Sequence, residues 1–290
     1  MAARLLEGKF FAETIKNNVK DEVRELKEKF LLTPGLAVII VGENPASKVY
    51  VANKQRACEA VGIYSVVIEL PADTTKEVLL AKIDELNNDA KIHGILVQLP
   101  LPKQIATAEL EILQRIDPVK DVDGFHPVNA GLLAIGKEQL VPCTPLGCIR
   151  MLEIAKINID GKRVVIVGRS NIVGKPMFHL LLARNATVTV CHSHTQSLAE
   201  ITKTADILVA AVGKPQFITA EMVKPGATVI DVGINRLANK KLVGDVDFTN
   251  VQAVAGAITP VPGGVGLLTI AMLMENTIKA AKLQIQGESK

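Results

Sequence analysis

Apolar residues at Phe11, Ile15, Val19, Val23, Leu26 and Phe30 recur every three or four positions, the spacing of one helix face, and predict an amphipathic helix over 11–30. The pattern then changes. Short apolar runs over 36–41, 64–70 and 94–99 predict strands, and between them helical spacing covers 47–61, 76–88 and 107–116. Runs that are apolar on both faces fit a parallel sheet covered on both sides, and strand–helix alternation supplies the crossovers that cover it.

A looser stretch, 117–145, is rich in Pro and Gly, and a second alternating series follows it. Its strands begin at Val164, Thr187, Ile207 and Thr228, with a weaker one near 251–258. A long apolar helix over 267–283 closes the chain, and its length suggests that it packs back on the first domain. The fold class expected is therefore α/β with two domains: residues 1–143 together with a C-terminal helix, 268–290, and residues 144–267. A ligand is expected in the cleft between them.

Composition narrows the class. At 290 residues the chain has room for roughly two ordinary domains, and with 48% hydrophobic and 22% charged residues it reads as globular. A net charge of +3 is too small to imply a polyanion partner, and 3% aromatics without Trp argue against stacking on single-stranded nucleic acid. No stretch has the unbroken apolar length of a membrane span. The four cysteines, Cys58, Cys143, Cys148 and Cys191, show neither a C-x-x-C pair nor metal-finger spacing with the five histidines, so buried thiols and no metal are expected. Residues 1–7 lack an apolar secretion core, and Glu7 and Glu13 argue against a transit peptide, so the cytoplasm is the expected location.

The most specific local pattern is the apolar run Val164 to Val167 ending at Gly168-Arg169-Ser170, with Gly174 opening the next helix. Gly168 allows a tight turn, Gly174 allows a close helix, and amides at the helix start can hold a pyrophosphate. Because Ser170 replaces the usual second glycine and the last spacing is one longer, the pattern also fits a plain strand–turn–helix. The next strand ends in His192-Ser193-His194, with no acid to take a ribose hydroxyl. Arg169 and Ser193 are placed to hold the extra phosphate of NADP instead, unless Arg169 is only a solvated loop charge.

Other residues carry candidate chemistry. Tyr50 and Lys54 stand four apart on one helix face, and an amine in an apolar cleft can trade protons near neutral pH. A solvated Tyr–Lys pair is the plainer reading. Short-chain dehydrogenases share the spacing, but there the glycine turn precedes the pair. Gln98 is the polar side chain at the end of the 94–99 strand, where ligands of α/β sheets gather. Asp121 and Asp123, two apart, would project to one side of an extended segment, and one of them could grip a guanidine-like edge. Thr259-Pro260-Val261-Pro262-Gly263-Gly264-Val265-Gly266 puts stiff and glycine-rich backbone before the last helix. Gly213 and Gly233 each follow a strand, either as turn glycines or where a nicotinamide or ribose comes close.

Together these pieces resemble the bifunctional methylenetetrahydrofolate dehydrogenase/cyclohydrolase family, of the bacterial FolD type. The motifs in order are Tyr50-x-x-x-Lys54, Val97-Gln98-Leu99-Pro100-Leu101-Pro102, Lys120-Asp121-Val122-Asp123-Gly124, Pro142-Cys143-Thr144-Pro145, Gly168-Arg169-Ser170-x-x-Val173-Gly174 and Thr259 to Gly266. The resemblance implies an N-terminal α/β substrate domain, a C-terminal Rossmann-like NADP-binding domain, a last helix returning to the N-terminal domain, and a homodimer. It implies oxidation of methylene-tetrahydrofolate with NADP, then hydrolysis of the methenyl product to formyl-tetrahydrofolate, supplying one-carbon units for purine and related biosynthesis. By the same resemblance Lys54 moves the proton in hydrolysis, Tyr50 meets the folate ring, Gln98 tunes the Lys54 amine and Asp123 grips the pterin's amino edge. Val51, Ala52, Asn53, Val97 and Leu99 accompany them at the substrate. Pro262, Gly263, Gly264, Val265 and Gly266 touch folate or cofactor. Thr144, Gly168, Arg169, Ser170, Ser193, Gly213, Gly233 and Ile234 belong to the NADP site. Leu267-Leu268 stands where the family usually has Pro-Met. A dehydrogenase without the hydrolase, NAD in place of NADP, and a non-enzymatic NADP-responsive module are the competing readings.

Overall fold

The computed structural model describes residues 2–288. The chain forms two compact units, one of Thr14–Cys143 with the chain from Ile270 onward, the other of the chain up to Glu13 with Thr144–Thr269. The first half contains β1 (Arg4–Leu5), α1 (Gly8–Phe30), β2 (Gly35–Val41), α2 (Pro45–Val61), β3 (Tyr64–Leu70), α3 (Lys76–Asn88) and β4 (Gly94–Val97). Next come α4 (Lys103–Ala106), α5 (Glu109–Arg115), α6 (Pro127–Ala134) and α7 (Cys143–Ile154). The second series is β5 (Arg163–Val167), α8 (Gly174–Leu182), β6 (Thr187–Cys191), α9 (Leu198–Thr202), β7 (Ile207–Ala210) and β8 (Thr228–Asp231). The chain ends with β9 (Asn235–Arg236), β10 (Leu242–Val243), α10 (Phe248–Val251), β11 (Ala257–Ile258) and α11 (Gly266–Glu288).

The first of these units holds a three-stranded parallel sheet in the order β3-β2-β4. The central strand β2 is buried along its whole length, as the apolar run over 36–41 requires. Ala37, Ile39 and Val41 form one face of it and meet Leu79 and Ile83 of α3 and Ile112 of α5. Those three large side chains are fully buried, so truncating any of them to Ala should cost about 2–5 kcal/mol. Helix α2, which carries Lys54, starts where the Asn44 side chain accepts the amides of Ala46 and Ser47 at 3.0 and 3.2 Å. It stops at Gly62, whose φ of 85° suits glycine.

The other unit is built on a six-stranded parallel sheet, β1-β11-β8-β7-β5-β6, with β9 and β10 paired antiparallel beside it. Val165 and Val167 of β5 pack with Leu208, Ala210 and Val229 in one apolar layer.

Several expectations are corrected. Residues 2–13 group with the six-stranded unit rather than with 14–143, because Arg4 and Leu5 pair in parallel with Ala257 and Ile258. A two-residue edge strand has no periodicity to read. The third strand stops at Val97, although Gln98 still donates its amide to Ile39 O at 2.8 Å. The stretch 117–145 contains α6 and the start of α7, and the weak strand over 251–258 resolves into α10 and the short β11. The segment carrying Asp121 and Asp123 turns instead of extending, with Gly124 N donating to Asp121 O at 3.1 Å.

The last helix starts at Gly266, and from Ile270 it belongs to the three-stranded unit. There Asn276 Nδ2 donates to the carbonyls of Val122 and Val141, both at 2.8 Å, and Lys282 pairs with Glu22 at 2.6 Å. Of the expected first-domain residues, Met1, Ser289 and Lys290 lie outside the described residues.

Candidate active site

Three of the expected residues converge in the three-stranded unit. Ser47, Val51, Lys54, Cys58 and Val61 form the buried face of α2, so the helix places an amine among apolar neighbours, and Lys54 is only 7% exposed. A buried ammonium needs a partner. Lys54 Nζ finds it in Gln98 Oε1 at 3.0 Å, at the carboxyl end of β4, and Gln98 Nε2 in turn donates to Leu99 O at 2.7 Å, which fixes the amide's orientation. Tyr50, one turn earlier on α2, is 44% exposed, and Asn53 is also exposed while Val97 is buried.

Asp123 is the third member. Burial, with a smaller push from Asp121, outweighs the opposing pull of Lys54 and leaves its carboxyl raised to about 6. Its Oδ1 lies 4.0 Å from Cys143 Sγ, and burial together with this carboxylate raises the Cys143 thiol. Asp121 does something else: it accepts from His126 N at 2.8 Å and Asn129 Nδ2 at 2.9 Å, bracing the start of α6. The two acids are therefore not a pair. Among the described residues, no group of three or more His, Cys, Asp or Glu is gathered to hold a metal.

In the six-stranded unit a cavity of about 300 Å³ opens at the carboxyl ends of β5, β6 and β7. Gly168, Arg169, Ser170 and Ser193 line it, as expected for a phosphorylated dinucleotide. Gly168 has φ 134°, and a Cβ there would collide with Ala211 O, while a Cβ on Gly174 would collide with Gly168 O. Ser170 Oγ accepts the amide of Val173 at 3.1 Å, completing the turn that the departed second glycine would otherwise shape. The cradle thus fits the NADP expected from sequence: close backbone, a helix start, and a guanidinium with hydroxyls. Val167 also lines it, and His192, Leu198, Ala211, Val212, Lys214 and Phe217 complete the wall. Sequence reasoning missed the last six, although for His192, Ala211 and Val212 their place just past a strand end was the available signal.

Thr144, Gly213, Gly233, Ile234 and residues 262–266 also belong to this unit. Thr144 Oγ1 is 3.2 Å from Thr269 Oγ1. Gly263 O accepts the amide of Gly8 at 2.7 Å, and a Cβ on Gly266 would just touch Ile234, so the 262–266 loop adjoins both α1's start and the segment after β8. Ile234 is 56% exposed. Gly213 is exposed, with φ 67° and no atom within 4 Å of where a Cβ would stand. Gly233 is glycine for another reason: a Cβ there would strike the Asp245 side chain. Nothing in the sequence reading pointed to Asp245 or Asp231, two acids set in apolar runs and buried to 0% and 3% exposure.

Comparison with known proteins gives a consistent picture. The catalytic-domain model of tetrahydrofolate dehydrogenase/cyclohydrolase matches residues 6–123, and the NAD(P)-binding-domain model of the same family matches 142–285. The bifunctional protein FolD of Halalkalibacterium halodurans is 60% identical over 282 residues, covering 97% of this chain and 100% of that protein. The FolD methylenetetrahydrofolate dehydrogenase/cyclohydrolase of Campylobacter jejuni superposes with a TM-score of 0.93 at 50% identity, over 98% of this chain and 100% of that one. The Trypanosoma brucei methylenetetrahydrofolate dehydrogenase-cyclohydrolase (FolD), solved with NADP cofactor and inhibitor, gives 0.92 at 39% identity, over 99% of each. Motif order, fold and likeness agree: this chain belongs to the tetrahydrofolate dehydrogenase/cyclohydrolase family.

Proposed function

We propose that this chain is a bifunctional one-carbon enzyme that oxidises methylene-tetrahydrofolate with NADP and then hydrolyses the methenyl product to formyl-tetrahydrofolate. The observation that carries this reading is the buried Lys54 amine held by Gln98 near Asp123, in a chain that also has a dinucleotide cradle. A dehydrogenase alone has no use for a buried proton carrier, and a cofactor sensor needs only the cradle.

Oxidation moves a hydride from the one-carbon bridge, leaving a methenyl group that is positively charged across two nitrogens. Bound in the cradle, NADP supplies the hydride acceptor. The protein's share is orientation, because a hydride transfer needs aligned reacting carbons and no strong base. Arg169, Ser170 and Ser193 hold the phosphate end, and Gly168 lets the backbone come close. Asp123 accepts N–H groups from the pterin's amino edge, and Tyr50 lies against the ring.

Hydrolysis does need a base. Water attacks the methenyl carbon as its proton passes to Lys54 Nζ, giving a tetrahedral adduct. The C–N bond to one ring nitrogen then breaks as the Lys54 ammonium returns a proton to that nitrogen. The formamide C=O forms as the remaining hydroxyl proton leaves to solvent, so one proton is released overall. Gln98 Oε1 keeps Nζ aimed through both transfers.

We also assign the chain to a homodimer, which the family resemblance supports, and to the cytoplasm, which its four buried thiols support. No helix among the described residues is long and apolar enough to cross a membrane. The test of the activity is direct: methylene-tetrahydrofolate with NADP should yield NADPH, and added methenyl-tetrahydrofolate should lose its absorbance with enzyme alone. NADPH formation without methenyl decay would reduce the function to a dehydrogenase, and cofactor binding without either would make it a sensor.

A further inference from the structure

Asp231 and Asp245 are buried carboxylates that no proposed chemical step uses. Burying an ionisable group is costly unless its oxygens are filled, and here each oxygen has a named partner. Asp231 Oδ1 accepts the amides of Gly233 and Asp245, both at 2.9 Å, and Oδ2 accepts that of Val246 at 3.0 Å. Asp245 Oδ2 accepts the amides of Val212 at 2.6 Å and Gly213 at 2.9 Å, while Oδ1 accepts Asn235 Nδ2 at 2.8 Å. The result is a relay. The end of β8 fixes the 245–246 backbone, and the Asp245 side chain then fixes the loop after β7 and the start of β9.

The relay reaches the cofactor cradle through one residue. Val212, whose amide Asp245 holds, lines the same cavity as Gly168, Arg169 and Ser193. Next to it, Gly213 faces open space. The fit behind this wall leaves no slack, because a Cβ on Gly233 would collide with Asp245 and one on Gly244 with Asp231. A carboxylate with three donors in fixed directions is a rigid brace.

We propose that Asp245 is a positioning residue for the dehydrogenase step: it holds the loops after β7 and β8 as one wall, so that cofactor affinity and hydride geometry depend on it while hydrolysis does not. The inference rests on the NADP-dependent reading above. It separates Asp245 from a general stabilising role, because the two activities of one chain use different residues.

The test is steady-state kinetics of both activities in Asp245→Ala, Asp245→Asn and Asn235→Ala. Asp245→Ala leaves the Val212 and Gly213 amides without their acceptor, so the KM for NADP should rise roughly tenfold to a hundredfold. Its methenyl hydrolysis should stay within about twofold of the parent. Asp245→Asn keeps one oxygen for both amides, and Asn235 can turn its own amide over to meet the new NH2, so this variant should recover most of the cofactor affinity. Asn235→Ala removes only the third partner, and should raise the KM for NADP by a smaller factor even if Asp245→Ala does not fold. An unchanged KM for NADP in Asn235→Ala and Asp245→Ala, an Asn variant no better than Ala, or equal loss of both activities would overturn the proposal. Failure of the unmodified enzyme to reduce NADP would instead remove the functional reading on which it rests.

Discussion

Lys54 Nζ lies 3.0 Å from Gln98 Oε1, joining a helix and a strand end that are 44 positions apart in the chain. An amine inside the protein stays placed only if something polar meets it, and this amide is what meets it. Replacing Gln98 with Leu therefore should disturb the amine and little else. A hydrogen bond to a charged group is worth about 1.5–3 kcal/mol, so methenyl hydrolysis should fall roughly tenfold to a hundredfold, with NADPH formation reduced far less. The decay of methenyl absorbance in Gln98→Leu checks this, and an equal fall in both activities would place Gln98 in folate binding instead.

Asp123 sets a pH dependence with a definite sign. Its carboxyl is raised to about 6, so it is ionised above that pH and protonated below it. Only the ionised form can accept every N–H of an amino edge. The KM for folate should therefore be flat above about pH 6 and rise as pH falls below it, approaching tenfold per unit. Because Lys54 lowers this carboxyl, Lys54→Met should move the break to higher pH. Asp123→Asn should bind weakly at all pH values and show no break.

Arg169 tests the choice of coenzyme. If its guanidinium holds the extra phosphate, Arg169→Ala should lower kcat/KM with NADP by roughly tenfold to a hundredfold and barely change kcat/KM with NAD. Parallel assays with the two coenzymes measure the ratio. A uniform loss would make Arg169 a general contact.

Gly168 should tolerate no side chain. Its φ of 134° is strained for any other residue, and a Cβ would meet the Ala211 carbonyl. Gly168→Ala should lower the Tm and raise the KM for NADP together, whereas Gly136→Ala, at φ 77° with no atom near, should lower stability only. Thermal melts paired with cofactor titration distinguish the two.

How far the chain could be read in advance depended on the range of the physics involved. Strands such as Tyr64–Leu70 and helices such as Lys76–Asn88 follow from local periodicity, and the structure begins and ends them where that periodicity does. The Gly168 turn was legible because glycine at φ 134° is a local demand. Lys54, Gln98 and Asp123 could be suspected individually, but their meeting is tertiary, made by α2, the end of β4 and a turn that periodicity read as extended. Residues 2–13 escape a local reading because Arg4 and Leu5 are placed by pairing with Ala257 and Ile258, some 250 positions away. Asp245 was invisible for the same reason. Its meaning lies in the amides of Val212 and Gly213, which no spacing along the chain connects to it.

The central claim is that one buried amine carries the proton for hydrolysis. Lys54→Ala, saturated with methenyl-tetrahydrofolate, tests it most directly. Loss of a positioned general base predicts a fall of about 10²–10⁴ in the rate of absorbance decay, with folate still bound in a titration. Hydrolysis at the parent's rate in that variant would contradict the account.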